Sequence, residues 1–276
     1  MLASSATADG RGTDEVRDKK MRAPLALEKK TVLWDETVAY LVAQTSTDIK
    51  SHLRWRSLWK SANELSKDDA MSASILCAML LSAAGDLEGA EYWLRNLEQL
   101  GDASRALSWR MCLLGNQGYA SRALELAPTV LANPAPVPFA EVAIAASWFG
   151  AFTSIVQAVN NAIQQHKVLV KVTQQVEIAR QADHVMSLLG VTESQYAAVL
   201  DVAGEMMRAR RLAWSETSSF HIIDEAPEQL GILMIYRIHV SPEEASDMNF
   251  ELASTLVDRD LDKPGLSVSF QGMKAH

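Results

Sequence analysis

The chain has 276 residues, 48% hydrophobic and 22% charged, which is the composition of a globular protein with one large or two smaller domains. Its formal net charge of −8 at pH 7 argues against a nonspecific nucleic-acid binder, because such proteins need a basic surface to displace counterions. The two cysteines, Cys77 and Cys112, lie in apolar stretches. They are expected to be buried free thiols in a reducing, cytoplasmic compartment, and a disulfide between them is the alternative.

Residues 1–30 are predicted to form a flexible tail. Their small and charged residues include no apolar run of the kind found in signal peptides. The longest uncharged stretch, 142–165, is strongly apolar over only about 15 residues, whereas a membrane-spanning helix needs ~20. We therefore expect buried helices in this stretch and no membrane span.

Apolar residues recur at helical spacing from about Trp34 to Arg211, and residues 31–165 are predicted to form a helical domain. Thr47 is the predicted N-cap of a helix that ends near Leu65. One face of this helix carries Trp55, Leu58, Trp59, Ala62 and Leu65. The acidic net charge favours packing of the two tryptophans over nucleic-acid contact by the basic residues of 54–60.

Three glycines mark the turns of three predicted helical hairpins. Gly85, Gly118 and Gly150 are 33 and 32 residues apart, a period typical of paired-helix repeats. Small or apolar residues recur at fixed offsets from these glycines, namely Ala78, Met111 and Ala143 seven residues before and Ala90, Ala123 and Ile155 five residues after. The period predicts an array of helical hairpins over about 71–165.

The pattern resembles the tetratricopeptide repeat, which has a small residue in the first helix, Gly at the turn, Ala in the second helix and Pro at its end. The sequence GNQGYASRALELAP, from Gly115 to Pro128, is the closest match, and Pro134 closes the second repeat. The Trp-x-x-Leu-Gly start of the family pattern is absent, and the third repeat has Ile155 in place of the second-helix Ala. The resemblance covers less than half of the chain. The alternatives are another kind of helical array or a globular helical bundle in which the period is accidental.

The resemblance implies a concave groove, lined mainly by the first helix of each pair, in which a partner binds. The implied partner-binding residues are Ile75, Leu76 and Met79 from the first repeat, Arg105 and Trp109 from the second, and Ile144 and Trp148 from the third. This mainly apolar set suits an amphipathic helix of a partner rather than a terminal carboxylate. Alternatively, the 47–65 helix or the C-terminal module fills the groove, which is favoured because so large an exposed apolar surface is a liability.

Residues 166–212 are predicted to form two longer helices. The first ends at Gly190, and Thr192 caps the second. The second helix ends in a basic cluster of Arg208, Arg210 and Arg211, which complements the negative C-terminal end of the helix dipole. The alternative for this cluster is an anion-binding or partner-binding patch.

Residues 213–276 are predicted to form a small β-β-α-β module. Strand-like runs cover 214–224, 231–240 and 266–272, and Ser241 and Pro242 begin a helix that runs to about Val257. The last two strands are expected to pair in parallel across this helix, and so small a module is expected to dock on the helices. The expected fold class is mainly α, a helical-hairpin repeat array followed by a small α+β module.

No sequence motif for catalysis, a cofactor or a metal stands out. The six histidines have no metal-binding spacing, and His221 and His239 are able to meet only if their strands pair. Asp258, Asp260 and Asp262 alternate as in a calcium loop, but the Gly and Glu of that loop are missing. We therefore predict no enzyme, no cofactor and no metal.

The predicted function is a protein–protein interaction module, such as an adaptor, a chaperone, or a bacterial immunity or regulatory protein. Its acidic charge suits a partner with a basic surface. One alternative is a small-molecule-binding or enzymatic function centred on the C-terminal α+β module. A weaker alternative is a nucleic-acid-binding regulator that uses the basic residues of 54–60 or 208–211.

Overall fold

The computed structural model describes residues 30–133, 139–165, 174–213, 218–224 and 229–273. In these residues the chain is mainly helical and ends in a three-stranded sheet with one helix, as predicted. The helices are α1 (30–42), α2 (Leu53–Leu65), α3 (Ala70–Ala83), α4 (Leu87–Gln99), α5 (Ala103–Asn116), α6 (Ala120–Ala132), α7 (Phe139–Ser147), α8 (Phe152–Gln164), α9 (Gln174–Leu189), α10 (Glu193–Ala209) and α11 (Pro242–Asp258). The strands are β1 (Ser219–Asp224), β2 (Leu230–Ile238) and β3 (Leu266–Gly272). Of the predicted tail only Lys30 is described, and Pro134 lies outside the described residues.

The three predicted hairpins are α3–α4, α5–α6 and α7–α8. Their turns contain Gly85, Gly118 and Gly150 at φ values of +73°, +68° and +84°, a left-handed conformation that favours glycine. The first helices of successive hairpins contact one another, α3 with α5 and α5 with α7. This is the packing expected of a hairpin array.

One helix boundary differs from the predictions, because a contact with a distant segment replaces the predicted cap. The prediction of Thr47 as an N-cap is wrong, since α2 begins at Leu53 after His52. The backbone N–H of Thr47 instead donates to the carbonyl of Arg211 at the end of α10. Pro128 lies inside α6, which continues to Ala132, and Val130 and Leu131 of the last turn are buried.

Helix α10 lies along the row of hairpin turns. The Tyr196 ring packs where Gly150 has no side chain, and Gly204 packs directly on the backbone of Gly118. Eight residues further on, Leu212 forms a β-bridge with Ser46, beside the Gly85 turn. The chain from 196 to 212 therefore touches the Gly150 and Gly118 turns and ends beside the segment that lies against the Gly85 turn.

The C-terminal module has the predicted β-β-α-β topology. Strand β1 pairs antiparallel with β2, with Phe220 opposite Met234, and β2 pairs in parallel with β3, with Met234 opposite Val268. The side-chain oxygen of Ser241 accepts from the Glu244 N–H and caps α11, as predicted. The thiols of the two cysteines are free, with Cys77 buried and Cys112 half-buried.

The module is docked on the helices through a shared core. Buried residues of β2, such as Ile232 and Met234, belong to the same cluster as Phe152 of α8 and Tyr196 of α10. A second cluster joins α1, α2, α3 and α4. The expected docking of the module is therefore confirmed, and none of the described helices is both long and apolar enough to cross a bilayer.

Candidate functional site

The predicted groove residues fall into three groups in the structure. Ile75 and Leu76 are core residues, 3% and 0% exposed, so a partner is unable to touch them while the surrounding helices stay packed. Met79 and Trp109 are half-buried and line a cavity. Arg105 is half-buried and forms an ion pair of 3.1 Å with Asp102, the N-cap of its own helix. The first and second hairpins thus contribute one accessible groove residue each to a common surface.

The third hairpin contributes to a different surface. Ile144 on α7 is 41% exposed. Trp148 contacts Phe220 of β1 edge to face, with ring centroids 6.0 Å apart. The C-terminal module therefore covers Trp148, at the end of the predicted groove that the third hairpin forms. This module was one of the two segments of the chain that were expected to fill the groove.

The cavity beside Met79 and Trp109, here called the groove cavity, lies between α1, α3, α5 and the C-terminal end of α10. Its volume is about 330 Å³, within the range of small-molecule sites, ~300–1,000 Å³. Most of its wall is apolar, contributed by Val38, Leu41, Val42, Met79, Ala83, Trp109, Leu113, Met207 and Leu212. The remaining wall includes Gln44, Thr47, Ser82, Asn116, Gln117 and Arg208.

Helix α1 forms the outer wall of the groove cavity. Its Trp34 contacts Trp109 edge to face at 5.7 Å between ring centroids. Lys30 bonds to Asp69 at 2.9 Å and Glu36 to Arg54 at 3.0 Å, which fixes α1 to the start of α3 and to α2. The 47–65 segment was expected as a possible cover. Its first residue, Thr47, lines this wall, whereas α2 contributes no residue to it and packs on α3.

Two rim residues of α1 remain open to solvent. Val38 is 36% exposed and Val42 is 47% exposed, and both line the groove cavity. Solvent-exposed valines next to a cavity form a continuous apolar entrance.

The arginines of the predicted anion or partner patch all have partners within the chain. Arg208 donates to the carbonyl oxygens of Gln117, at 2.8 Å, and Gly118, and its guanidinium lies 3.7 Å from the ring centroid of Tyr119. These contacts fix the end of α10 against the second hairpin and close one end of the groove cavity.

The other two arginines of the patch are nearer the surface. Arg210 donates to Glu251 of α11 at 2.5 Å, and Arg211 lies 3.7 Å from Asp48 with its side chain 72% exposed. Intramolecular ion pairing therefore accounts for both positions, and Arg211 is the arginine of the patch that is most open to a ligand.

Ser82 is an unusual member of the cavity wall. Its side chain is 1% exposed, and its hydroxyl has no hydrogen-bond partner among the residues that the structure describes. A buried hydroxyl without a partner destabilises a folded protein by about 1–3 kcal/mol. Tyr196 has the only comparable buried hydroxyl in the described part of the chain, but it lies in the core and burial raises its pKa.

A second, more open pocket of about 440 Å³ lies where β1 meets α7 and α9. The hydroxyl oxygen of Ser219 lies 3.0 Å from Nε2 of His221 on its floor. His221 is opposite Leu233 in the sheet, whereas His239 lies beyond the end of β2, so pairing of the strands does not bring the two histidines together. Within the described ranges no group of three side chains suits a metal ion.

No family model, no curated protein and no solved structure matches this chain. The candidate site therefore depends on the geometry of the chain itself. Sequence reasoning missed α1 as the outer wall and Ser82 as a wall residue. The available signals were the amphipathic run WDETVAYLVAQ and a single serine in the apolar run AMLLSAA.

Proposed function

We propose that the chain is a protein–protein interaction module, built on tetratricopeptide-like helical hairpins, that binds an apolar segment of a partner at the groove cavity. The observation that carries the proposal is the cavity of about 330 Å³ lined by Met79 and Trp109, which lie on the first helices of two successive hairpins. Pockets of this kind bind the buried anchor residues that dominate the energy of many interfaces.

The rim of the cavity supports an elongated occupant. Val38 and Val42 are one helical turn apart on α1 and are exposed beside the opening. An amphipathic helix is able to place one side chain in the cavity and neighbouring apolar side chains on these valines. The net charge of −8 accelerates encounter with a partner whose polar face is basic.

The test compares two valine variants of the full-length chain. Val42→Glu places a charge on the rim, where it opposes an apolar segment, while Val257→Glu is the matched control on α11, where the valine is 60% exposed. Both variants are used as tagged bait in extracts of the native host at moderate salt. Each must have the circular dichroism and melting temperature of the wild type.

The expected result is a stoichiometric partner that is retained by the wild type and Val257→Glu and lost by Val42→Glu. Trp109→Ala is expected to lose the same partner. A partner retained by Val42→Glu, or lost equally by both valine variants, would place the binding surface elsewhere.

A further inference from the structure

We propose that the groove cavity is also a small-molecule site, and that its ligand is a neutral ring with one hydrogen-bonding group, of the phenol or indole class. This inference uses the cavity of the proposed function, but it does not require that a partner protein bind there. Its grounds are the electrostatics of the wall, the side chains that face a ring, and the buried hydroxyl of Ser82.

The wall favours a neutral ligand. Among the described residues of the wall the ionisable side chain is Arg208, whose guanidinium donates to two backbone carbonyls and lies against the Tyr119 ring. Both hydrogen bonds come from one guanidinium nitrogen, Nη1, and the Tyr119 ring lies against the group, so a carboxylate would have only the remaining N–H groups to bind. Burying an unpaired charge in an apolar cavity is strongly unfavourable.

The same wall favours a ring. Trp109 offers an aromatic surface, and Met79 and Met207 offer thioethers from two different helices. Aromatic rings pack well edge to face on other rings and make favourable contacts with methionine sulfur. Flexible methionines also adapt the wall to a planar ligand, which a wall of branched side chains would not do as readily.

Ser82 supplies the polar contact. Among the described residues its hydroxyl has no partner, although the side chain is almost fully buried and belongs to the wall. A serine side chain has three staggered positions, so the hydroxyl is able to turn toward a polar atom of a bound ligand. A phenol O–H or an indole N–H inside the groove cavity would form a hydrogen bond with the Ser82 hydroxyl.

The experiment uses four probes on the full-length chain: p-cresol, 3-methylindole, toluene and 4-methylbenzoate. Dissociation constants are measured by equilibrium dialysis, and melting temperatures are recorded in parallel because a ligand of the folded state raises them. Ser82→Ala removes the hydroxyl. Ser74→Ala is the matched control, since Ser74 is a buried serine of the same helix whose hydroxyl donates to the Ala70 carbonyl at 2.8 Å and which is not part of the wall.

For the wild type and Ser74→Ala, p-cresol is expected to bind about three to ten times more tightly than toluene, the contribution of one hydrogen bond. In Ser82→Ala this ratio is expected to fall to about one, with toluene binding retained. The carboxylate 4-methylbenzoate is expected to bind least. Ala83→Leu, which fills the cavity, is expected to abolish binding of all four probes.

The absence of probe binding to the wild type would overturn the inference, as would a p-cresol preference that Ser82→Ala leaves intact. These outcomes are separable from failure of the proposed function. If no probe binds but Val42→Glu still loses a partner protein, only the small-molecule site is refuted. If the probes bind as expected and Val42→Glu retains its partner, only the protein-binding function is refuted.

Discussion

The close approach of α10 to the second hairpin makes Gly204→Ala the most informative structural substitution. A Cβ atom at position 204 would overlap the carbonyl oxygen, carbonyl carbon and Cα of Gly118. All three are backbone atoms, so the clash is relieved only if α10 moves away from the turn. That movement would also weaken the hydrogen bonds from Arg208 to the carbonyls of Gln117 and Gly118.

Opposing effects determine how much Gly204→Ala changes the free energy of unfolding. Alanine is better than glycine in a helix by up to ~1 kcal/mol. Overpacking of this kind costs ~1–3 kcal/mol, and weakened charge-assisted hydrogen bonds cost ~1–2 kcal/mol more. We expect a net loss of about 2–3 kcal/mol in the free energy of unfolding, measured by urea denaturation, and a decrease of about 5–10 °C in melting temperature.

Gly115→Ala is the matched control in α5. A Cβ atom there would lie 2.7 Å from Cδ1 of the Phe149 ring, which is a side chain that is able to shift. We expect a smaller loss of stability than for Gly204→Ala. If Gly204→Ala stabilises the protein, as helix propensity alone would predict, then α10 is not docked on the Gly118 turn and the reasoning is refuted.

Three further predictions concern side chains with polar or ionisable groups. Ser82→Ala is expected to leave the stability of the ligand-free protein unchanged or to raise it by up to about 2 kcal/mol, since it removes a buried hydroxyl that has no partner among the described residues. Ser74→Ala should destabilise the protein by about 1 kcal/mol, since it removes a hydrogen bond. Urea denaturation that finds Ser82→Ala the less stable of the two variants would contradict this. Burial raises the pKa of the Cys77 thiol to about 12 and that of the half-buried Cys112 thiol to about 11. Both thiols should therefore resist iodoacetamide at pH 8 and react together on unfolding, and rapid alkylation of the native protein would contradict the raised pKa values. Burial raises the pKa of the Asp69 carboxyl, but its hydrogen bonds and its ion pair lower the pKa by more, so that the resulting pKa is about 2. Because the folded pKa lies below the unfolded one, the stabilisation by Asp69 is complete above about pH 4 and is lost as pH falls toward 2. The melting temperatures of the wild type and Asp69→Asn, measured against pH, should therefore converge in this window. Melting temperatures that stay a constant distance apart would show that the ionised Asp69 carboxylate does not contribute.

Local signals in the sequence were sufficient for much of the fold. The turn glycines at 85, 118 and 150 were predicted from their period, and their positive φ values show why glycine is favoured there. The cap at Thr192 was predicted from residue type, and the structure shows a complete capping box with Gln195. The strands and crossover helix followed from alternation and from the Ser241 cap, because these signals depend on neighbours in the sequence.

The candidate site was only partly predictable, since it is built by contacts between distant segments. Met79 and Trp109 were predicted to line the groove, but the amphipathic pattern of 30–42 does not specify that α1 packs on Trp109. Gly204 carried a usable signal, because an isolated glycine in a helix often marks a close backbone approach. Its partner, the Gly118 turn, is 86 residues away in the sequence and no local pattern identifies it.

Site-specific photocrosslinking in the native host tests most directly whether the groove cavity binds a partner. A benzophenone side chain is introduced at position 42, on the cavity rim, and in a separate variant at position 257, on the exposed face of α11. We expect a covalent adduct with one protein from position 42, with the crosslink in an apolar segment of that protein, and no such adduct from position 257. No adduct from position 42, or the same adducts from both positions, would contradict binding of a partner at the groove cavity.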